Sequence, residues 1–97
     1  MDKVFYLNDL FDLYGELLTE KQQMYFKDYY FDNLSYGEIS EKYGISRNAV
    51  FHQLKIIEEK LENYEKKLNL LDKKKKIDDI IDMIEDTQIK DALKSIL

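Results

Sequence analysis

The chain has no cysteine and no proline, and glycine occurs only at positions 15, 37 and 44. Without thiols it can form no disulfide and no thiolate metal site. Glycine and proline punctuate folds with many turns, so their scarcity favours long helices over strands. No apolar run is long enough to cross a bilayer. The chain does not open with a basic stretch leading into an apolar one, as a secretory signal would. The cytoplasm is therefore the expected compartment, with no direct membrane insertion. There is one histidine, His52, and one arginine, Arg47, against fourteen lysines. Lysine lacks the planar fork with which arginine grips a carboxylate or phosphate at two points.

What is present suits a single domain spanning 1–97. Hydrophobic residues make up 44% and charged ones 36%, a globular mixture rich in charge. A chain this short has a small core, so oligomerisation is a reasonable way to bury more surface. The net charge of -5 is unevenly spread, with -4 over residues 1–34, zero over 35–61, +3 over 62–76 and -4 over 77–97. A self-standing DNA-binding domain is typically basic overall. This chain is acidic at both ends and basic in one central stripe.

The apolar spacing predicts an all-α protein. Leu7, Leu10, Phe11, Tyr14, Leu17 and Leu18 fall at helical spacing over about 3–17. Thr19 with Gln22 fits a capping box that opens a second helix, aromatic on nearly all sides and running to about Phe31. Asp32 and Asn33 are turn residues. Ser35 with Glu38 makes a second capping box for a short helix to about 43. Gly44 suits a left-handed helix stop, and Ser46 suits the next N-cap. Val50, Leu54, Ile57, Leu61, Tyr64, Leu68 and Leu71 then form a heptad seam, predicting one helix over 47–72, about 39 Å long. Its second half needs other helices to cover it. The 57–71 seam predicts a homodimer, or else closure within the chain on the last two helices. Lys73 to Lys76 are expected to end or bend this helix, where cations complement the C-terminal dipole. Ile77, Ile80, Ile81 and Ile84 mark a fifth helix. Asp86 and Thr87 suggest a cap, and Ile89, Leu93, Ile96 and Leu97 mark a short sixth.

The strongest signal is the stretch 35–55, which reads as a helix-turn-helix. Ile39 and Tyr43 face inward, Ser40 is small enough for close helix approach, Gly44 makes the turn, and Ile45, Val50 and Leu54 complete the inner face. In such motifs the N-terminal part of the second helix meets base edges in the major groove. Here, capped by Ser46, it would present Arg47, Asn48, Phe51, His52 and Lys55. Arg47 suits guanine or phosphate, Asn48 suits adenine, and Lys55 suits phosphate. Against this stand Glu58 and Glu59, which would repel a phosphate backbone if they faced it.

The segment Leu17-Leu18-Thr19-Glu20-Lys21-Gln22-Gln23, the pair Tyr29-Tyr30, the run from Leu34 to Ile39, the helix start from Ile45 to Phe51 and the continuation from Leu61 to Leu68 resemble the YlxM family of small bacterial helix-turn-helix proteins. The resemblance covers roughly 5–97. It implies a helix-turn-helix similar to the promoter-reading fourth region of sigma factors, which fits the long fourth helix and two short C-terminal helices read from the apolar spacing. It also implies a role in the signal recognition particle pathway, with the particle's RNA or its GTPase as partner, because family genes lie beside those for the GTPase and its receptor. No catalytic residue comes with it. Ser40 stands where the family commonly has alanine, and His52 and Gln53 fall at variable polar positions.

Plainer readings stand beside these. Arg47 and Lys55 could be ordinary solvated charges, with duplex DNA an alternative partner and protein a third. His52 alone makes no zinc site. The aromatics at 25, 26, 29, 30 and 31 could stack bases, but aromatics at helical spacing usually pack. Lys73, Lys74, Lys75 and Lys76 could grip RNA phosphates or form only a solvated helix end. The acidic pairs after 77 fit the polar face of an amphipathic helix. No glycine-rich phosphate loop, activated nucleophile or metal-ligand cluster appears, so no enzyme activity and no cofactor are expected.

Overall fold

The computed structural model describes residues 2–96. Helix α1 spans Lys3–Tyr14, and a 3-10 turn over Gly15–Leu17 leads to α2, Glu20–Phe26. The second segment then widens into a π-helical turn over Lys27–Phe31. The helices α3, Tyr36–Tyr43, and α4, Arg47–Leu68, form the helix-turn-helix. Then come α5, Leu70–Asp82, and α6, Thr87–Lys94. No strand occurs among the described residues. Leu97, assigned to the sixth helix on sequence grounds, lies outside them.

Local chemistry explains most helix boundaries. Both capping boxes form: Thr19 accepts from the Gln22 N–H and Ser35 from the Glu38 N–H, and each Gln or Glu side chain accepts from its cap's backbone in return. Gly44 sits at φ 66°, ψ 36°, the left-handed conformation that stops α3. Ser46 accepts from the Ala49 N–H and starts α4. Asp86 does the same for α6 through the Ile89 N–H.

Helix α4 is the spine, with α1, α2 and α3 packed on it. Its stripe Val50, Leu54, Ile57 and Leu61 is buried against Leu7, Leu10, Phe11, Tyr14, Phe26 and Ile39. The Phe11 and Phe26 rings stack at 4.2 Å between centroids, almost parallel. Leu71, from the next helix, joins the same core. The 57–71 seam therefore closes within the chain, mainly on α1. The within-chain closure expected on the last two helices falls on the core of α1, α2 and α3 instead, with Leu71 of α5 joining it. Ile57 and Leu61 are fully buried, Tyr64 is half-buried and Leu68 is exposed.

The single helix expected over 47–72 is also corrected. It breaks at Asn69, which sits at φ 56°, ψ 29° and belongs to neither helix. Asparagine tolerates this left-handed conformation better than most residues. The side chain of Asn69 does not cap α5. Glu65 reaches forward from α4 instead, accepting from the Leu71 N–H at 2.9 Å and the Asp72 N–H at 3.2 Å. The buried Tyr14 hydroxyl donates to Glu65 at 2.7 Å and accepts from the Leu70 N–H at 3.1 Å. Three of the first backbone donors of α5 are thus satisfied by two side chains of the spine and α1. Burial alone would raise the Glu65 carboxyl. The bonds from Tyr14, Leu71 and Asp72 outweigh it and hold the group below the ordinary glutamate range.

The lysine run is likewise displaced from expectation. Lys73 to Lys76 lie in the first half of α5, not at the C-terminus of a preceding helix, so they do not complement a C-terminal dipole.

Candidate nucleic-acid interface

Helix α3 and the first two turns of α4 are held at a fixed angle from three sides. Ile39 and Val50 are buried between them. Ser40 Oγ donates to the Ile45 carbonyl across the turn, a bond that alanine at this position could not make. Asp28, buried in the π-helical turn, accepts from Lys42 Nζ at 2.8 Å and from the Tyr43 hydroxyl, pinning the end of α3 to the preceding segment. The Asp28 carboxylate pushes the Lys42 ammonium up from its usual value. Burial, and then Asp28, does the same to the Tyr43 hydroxyl.

Val50, Leu54 and Ile57 take the inner side of α4. Asn48, His52 and Lys55 fall on the opposite side, with Phe51 beside them, and all four are exposed. Ser46, Arg47, Asn48, Phe51, His52 and Lys55 are therefore gathered at one end of one helix. Arg47, the chain's single arginine, lies back over α3. Its guanidinium passes where a side chain on Gly37 would begin, 3.0 Å from that position. Gly37 thus leaves the room in which the guanidinium rests. A cation in the first turn opposes the helix dipole, so Arg47 does not serve the stability of α4. That turn carries no acidic residue. Its exposed N–H groups and its dipole suit an anion.

An aromatic band adjoins this end. Tyr29 stacks on Tyr36 at 5.2 Å, Tyr36 meets Phe51 at 6.1 Å, and Phe51 meets His52 at 5.7 Å. Lys55 Nζ stands 5.7 Å from the centre of the Phe51 ring. Phe51 keeps 42% of its surface in water. The Tyr29 hydroxyl beside it, and then burial, push the Tyr36 hydroxyl above its usual value. Tyr29 and Tyr30, with Val4, Asn33, Leu34 and Ser35, line an open cavity of about 410 Å³. Of the other aromatics singled out from sequence, Tyr25 and Phe26 are core, and Phe31 lies edge-on against Phe11 and Phe26. The aromatic residues that do reach the α4 face are Tyr36 and Phe51. Of these, only Phe51 was legible as a surface residue, from its place outside the Val50–Leu54 stripe.

The acidic neighbours are unequal. Glu58 accepts from the Tyr30 hydroxyl and pairs with Lys3 at 3.3 Å, so its charge is engaged within the fold. Burial and Glu58 together raise the Tyr30 hydroxyl. Glu59 is exposed. Lys73, Lys74, Lys75 and Lys76 are not brought to this place. They follow the far end of α4, about 33 Å of helix away. Lys76 pairs with Asp72 at 3.0 Å, and Lys74 with Asp78 at 4.0 Å.

A short capped helix joined by a left-handed glycine to a long capped one, whose polar face is free at its N-terminal end, defines a helix-turn-helix protein. Residues 1–96 match the family described as "Putative helix-turn-helix protein, YlxM / p13 like", UPF0122. A UPF0122 protein of Halalkalibacterium halodurans is 45% identical over 92 residues, covering 95% of this chain and 84% of its own. One from Listeria innocua is 41% identical over 99 aligned positions, covering 93% of this chain and 90% of its own. One from Shouchella clausii is 51% identical over 73 residues, covering 75% and 67%. The chain belongs to the UPF0122 family. Among the described residues, no helix is long and apolar enough to cross a membrane.

Proposed function

We propose that this chain is a cytoplasmic regulatory protein that binds the RNA of the signal recognition particle through the first turns of α4. The observation that carries the nucleic-acid reading is the set Arg47, Asn48, Phe51, His52 and Lys55. These side chains are exposed together at a helix N-terminus that lacks an acid, and no described hydrogen bond or ion pair occupies their polar groups. RNA is favoured over duplex DNA by the half-exposed Phe51 and its ring contact with Tyr36, because unpaired bases stack on such surfaces and paired ones do not. The particle itself is assigned from the resemblance to the YlxM family. The protein has no catalytic part in this reading and regulates by binding.

Duplex DNA is the second reading, since Arg47 and Asn48 stand where a helix-turn-helix reads guanine and adenine. The test is binding of the purified protein to the particle's RNA and to random duplex DNA of matched length, at two salt concentrations. Tight RNA binding, weak DNA binding and a loss on Arg47→Ala with Lys55→Ala are expected. Equal binding to both would reduce the interface to non-specific phosphate contact. Binding to neither would overturn the reading in favour of a protein partner such as the particle's GTPase.

A further inference from the structure

The open cavity of about 410 Å³ lies outside the set Arg47, Asn48, Phe51, His52 and Lys55. Three segments build it. Val4 comes from α1, Tyr29 and Tyr30 from the π-helical turn, and Asn33, Leu34 and Ser35 from the link into α3. Turns of the π kind recur at functional sites. The volume falls within the ~300–1,000 Å³ of small-molecule sites. The two tyrosine rings stand edge to face, 4.9 Å apart at 87°, so they present surfaces at right angles to each other.

The lining decides what can enter. None of the six side chains is charged, so a phosphate, carboxylate or ammonium would lose water there without gaining a counter-charge. Ser35 is spent on the α3 cap, and Tyr30 gives its hydroxyl to Glu58. Asn33 differs. It is exposed, held at φ 58°, and among the described residues its side-chain amide makes no hydrogen bond. An amide carries a donor and an acceptor side by side, the complement of the polar edge of a nucleobase. Flat rings with a free amide beside them are the means by which proteins hold unpaired bases. The cavity is also continuous with the α4 face. Tyr29, which lines it, stacks on Tyr36, and Tyr36 meets Phe51, in steps of 5.2 and 6.1 Å.

We propose that this cavity takes one unpaired nucleobase of the bound RNA, stacked on the tyrosine rings and met at its edge by the Asn33 amide. The proposal rests on the RNA reading above and adds a second contact to it. Arg47 and Lys55 meet the strand's phosphates, and the cavity takes a base that an intact duplex does not offer.

Two probes test it on the full chain: free adenosine, and a pair of short RNA strands with the same number of phosphates. One strand has a single central adenine among stable abasic sites, and the other is abasic throughout. Adenosine at millimolar concentration should shift the Val4 and Leu34 methyl signals and the Asn33 side-chain amide in nuclear magnetic resonance spectra. The one-base strand should bind at least about fivefold tighter than the abasic one, the low end of what stacking a base on aromatic rings gives. Asn33→Gly keeps the left-handed backbone and should bring that ratio close to one, with affinity for the abasic strand unchanged. Tyr29→Leu should do the same. Since it also removes the stack on Tyr36, Asn33→Gly with unchanged circular dichroism is the decisive variant. Arg47→Ala with Lys55→Ala should weaken both strands alike and leave the ratio intact. A wild-type ratio near one would overturn the proposal. So would a ratio that survives both cavity variants and falls with Phe51→Leu, which would place the base on α4. Adenosine shifts confined to residues outside the cavity would overturn it too. If neither strand binds while adenosine still moves the cavity signals, the RNA reading fails and the cavity stands as a base site. If neither strand binds and adenosine moves nothing, both fall.

Discussion

Glu65→Gln should destabilise the protein by about 2 kcal/mol, although the change keeps size and shape. The carboxylate accepts three hydrogen bonds, from the Tyr14 hydroxyl and from the Leu71 and Asp72 N–H groups. Hydrogen bonds to a charged group contribute about 1.5–3 kcal/mol net. Glutamine keeps one oxygen, which can still serve Tyr14 and Leu71. Its NH2 then faces the Asp72 N–H, donor against donor, and the negative charge at the start of α5 is gone. For a domain of this size, ~2 kcal/mol lowers Tm by roughly 10 °C. Tyr14→Phe removes one donated and one accepted bond while leaving the buried ring in place, and should cost about 1–2 kcal/mol. In a double-mutant cycle the two changes should couple, because each removes a partner of the other.

The same carboxyl sets a pH signature. Its folded value lies below the ordinary 4.5, so between the two values the unfolded chain binds more protons. The contribution is fully present above about pH 4.5 and is lost as pH falls through the depressed value. Urea denaturation of the wild type and Glu65→Gln, followed from pH 7 downward, should show a constant gap that closes in that acid window. Two results would refute the reasoning: a gap under ~0.5 kcal/mol at pH 7, or a gap that does not change with acid.

Gly37→Ala should separate folding from binding. It improves helix propensity in α3, so stability should hold or rise slightly by denaturant melt. It also pushes the Arg47 guanidinium from its resting place, so RNA affinity should change several-fold in a filter or fluorescence titration. Gly44→Ala meets no atom within 4 Å, but it places a side chain at φ +66°. It should cost about 1 kcal/mol in thermal denaturation, and Gly44→Asn should cost less. Phe26→Ala removes a fully buried ring that stacks on Phe11, and a loss of about 3–5 kcal/mol should appear as a much lower denaturation midpoint.

Helix signals that act within a few residues were legible in the sequence. The two capping boxes, Gly44, Ser46 and Asp86 each work through a bond to a neighbour in the chain, so residue type and spacing sufficed. The widening over Lys27–Phe31 left no such trace, because its residues look helical and only the backbone ladder differs. The break at Asn69 carried a faint one. An asparagine able to take the left-handed conformation lay inside the heptad pattern, and the regular spacing of Leu68 and Leu71 hid it. The bond network that compensates the break joins Tyr14 to Glu65 across 51 positions and could not be read locally. At the site, the outward residues of α4 followed from the Val50–Leu54–Ile57 stripe. The rest of Arg47 over Gly37, and the engagement of Glu58 by Tyr30 and Lys3, depend on how segments meet in space.

The break at Asn69 bears on the conflict between a net acidic chain and the proposed nucleic-acid surface. An unbroken helix over 47–72 would have placed Lys73 to Lys76 at its end, in line with α4. The turn at Asn69 swings α5 back so that Leu71 closes the core over α1. It also places the lysines at the base of an arm whose far half is acidic. Interactions between exposed charges fade beyond about 8–10 Å in physiological salt. At the free end of α4, about 33 Å from that arm, a phosphate meets the local charge of the motif, not the chain total of -5. That local charge is nominally zero over 35–61. With the Glu58 charge paired by Lys3, the exposed balance near Arg47 and Lys55 turns favourable to an anion. It remains small, which predicts a shallow dependence of RNA affinity on salt, about two released counterions' worth, and leaves most of the affinity to stacking and base contacts. A slope of six or more would mean that phosphates are gripped elsewhere, and would return attention to Lys73–Lys76.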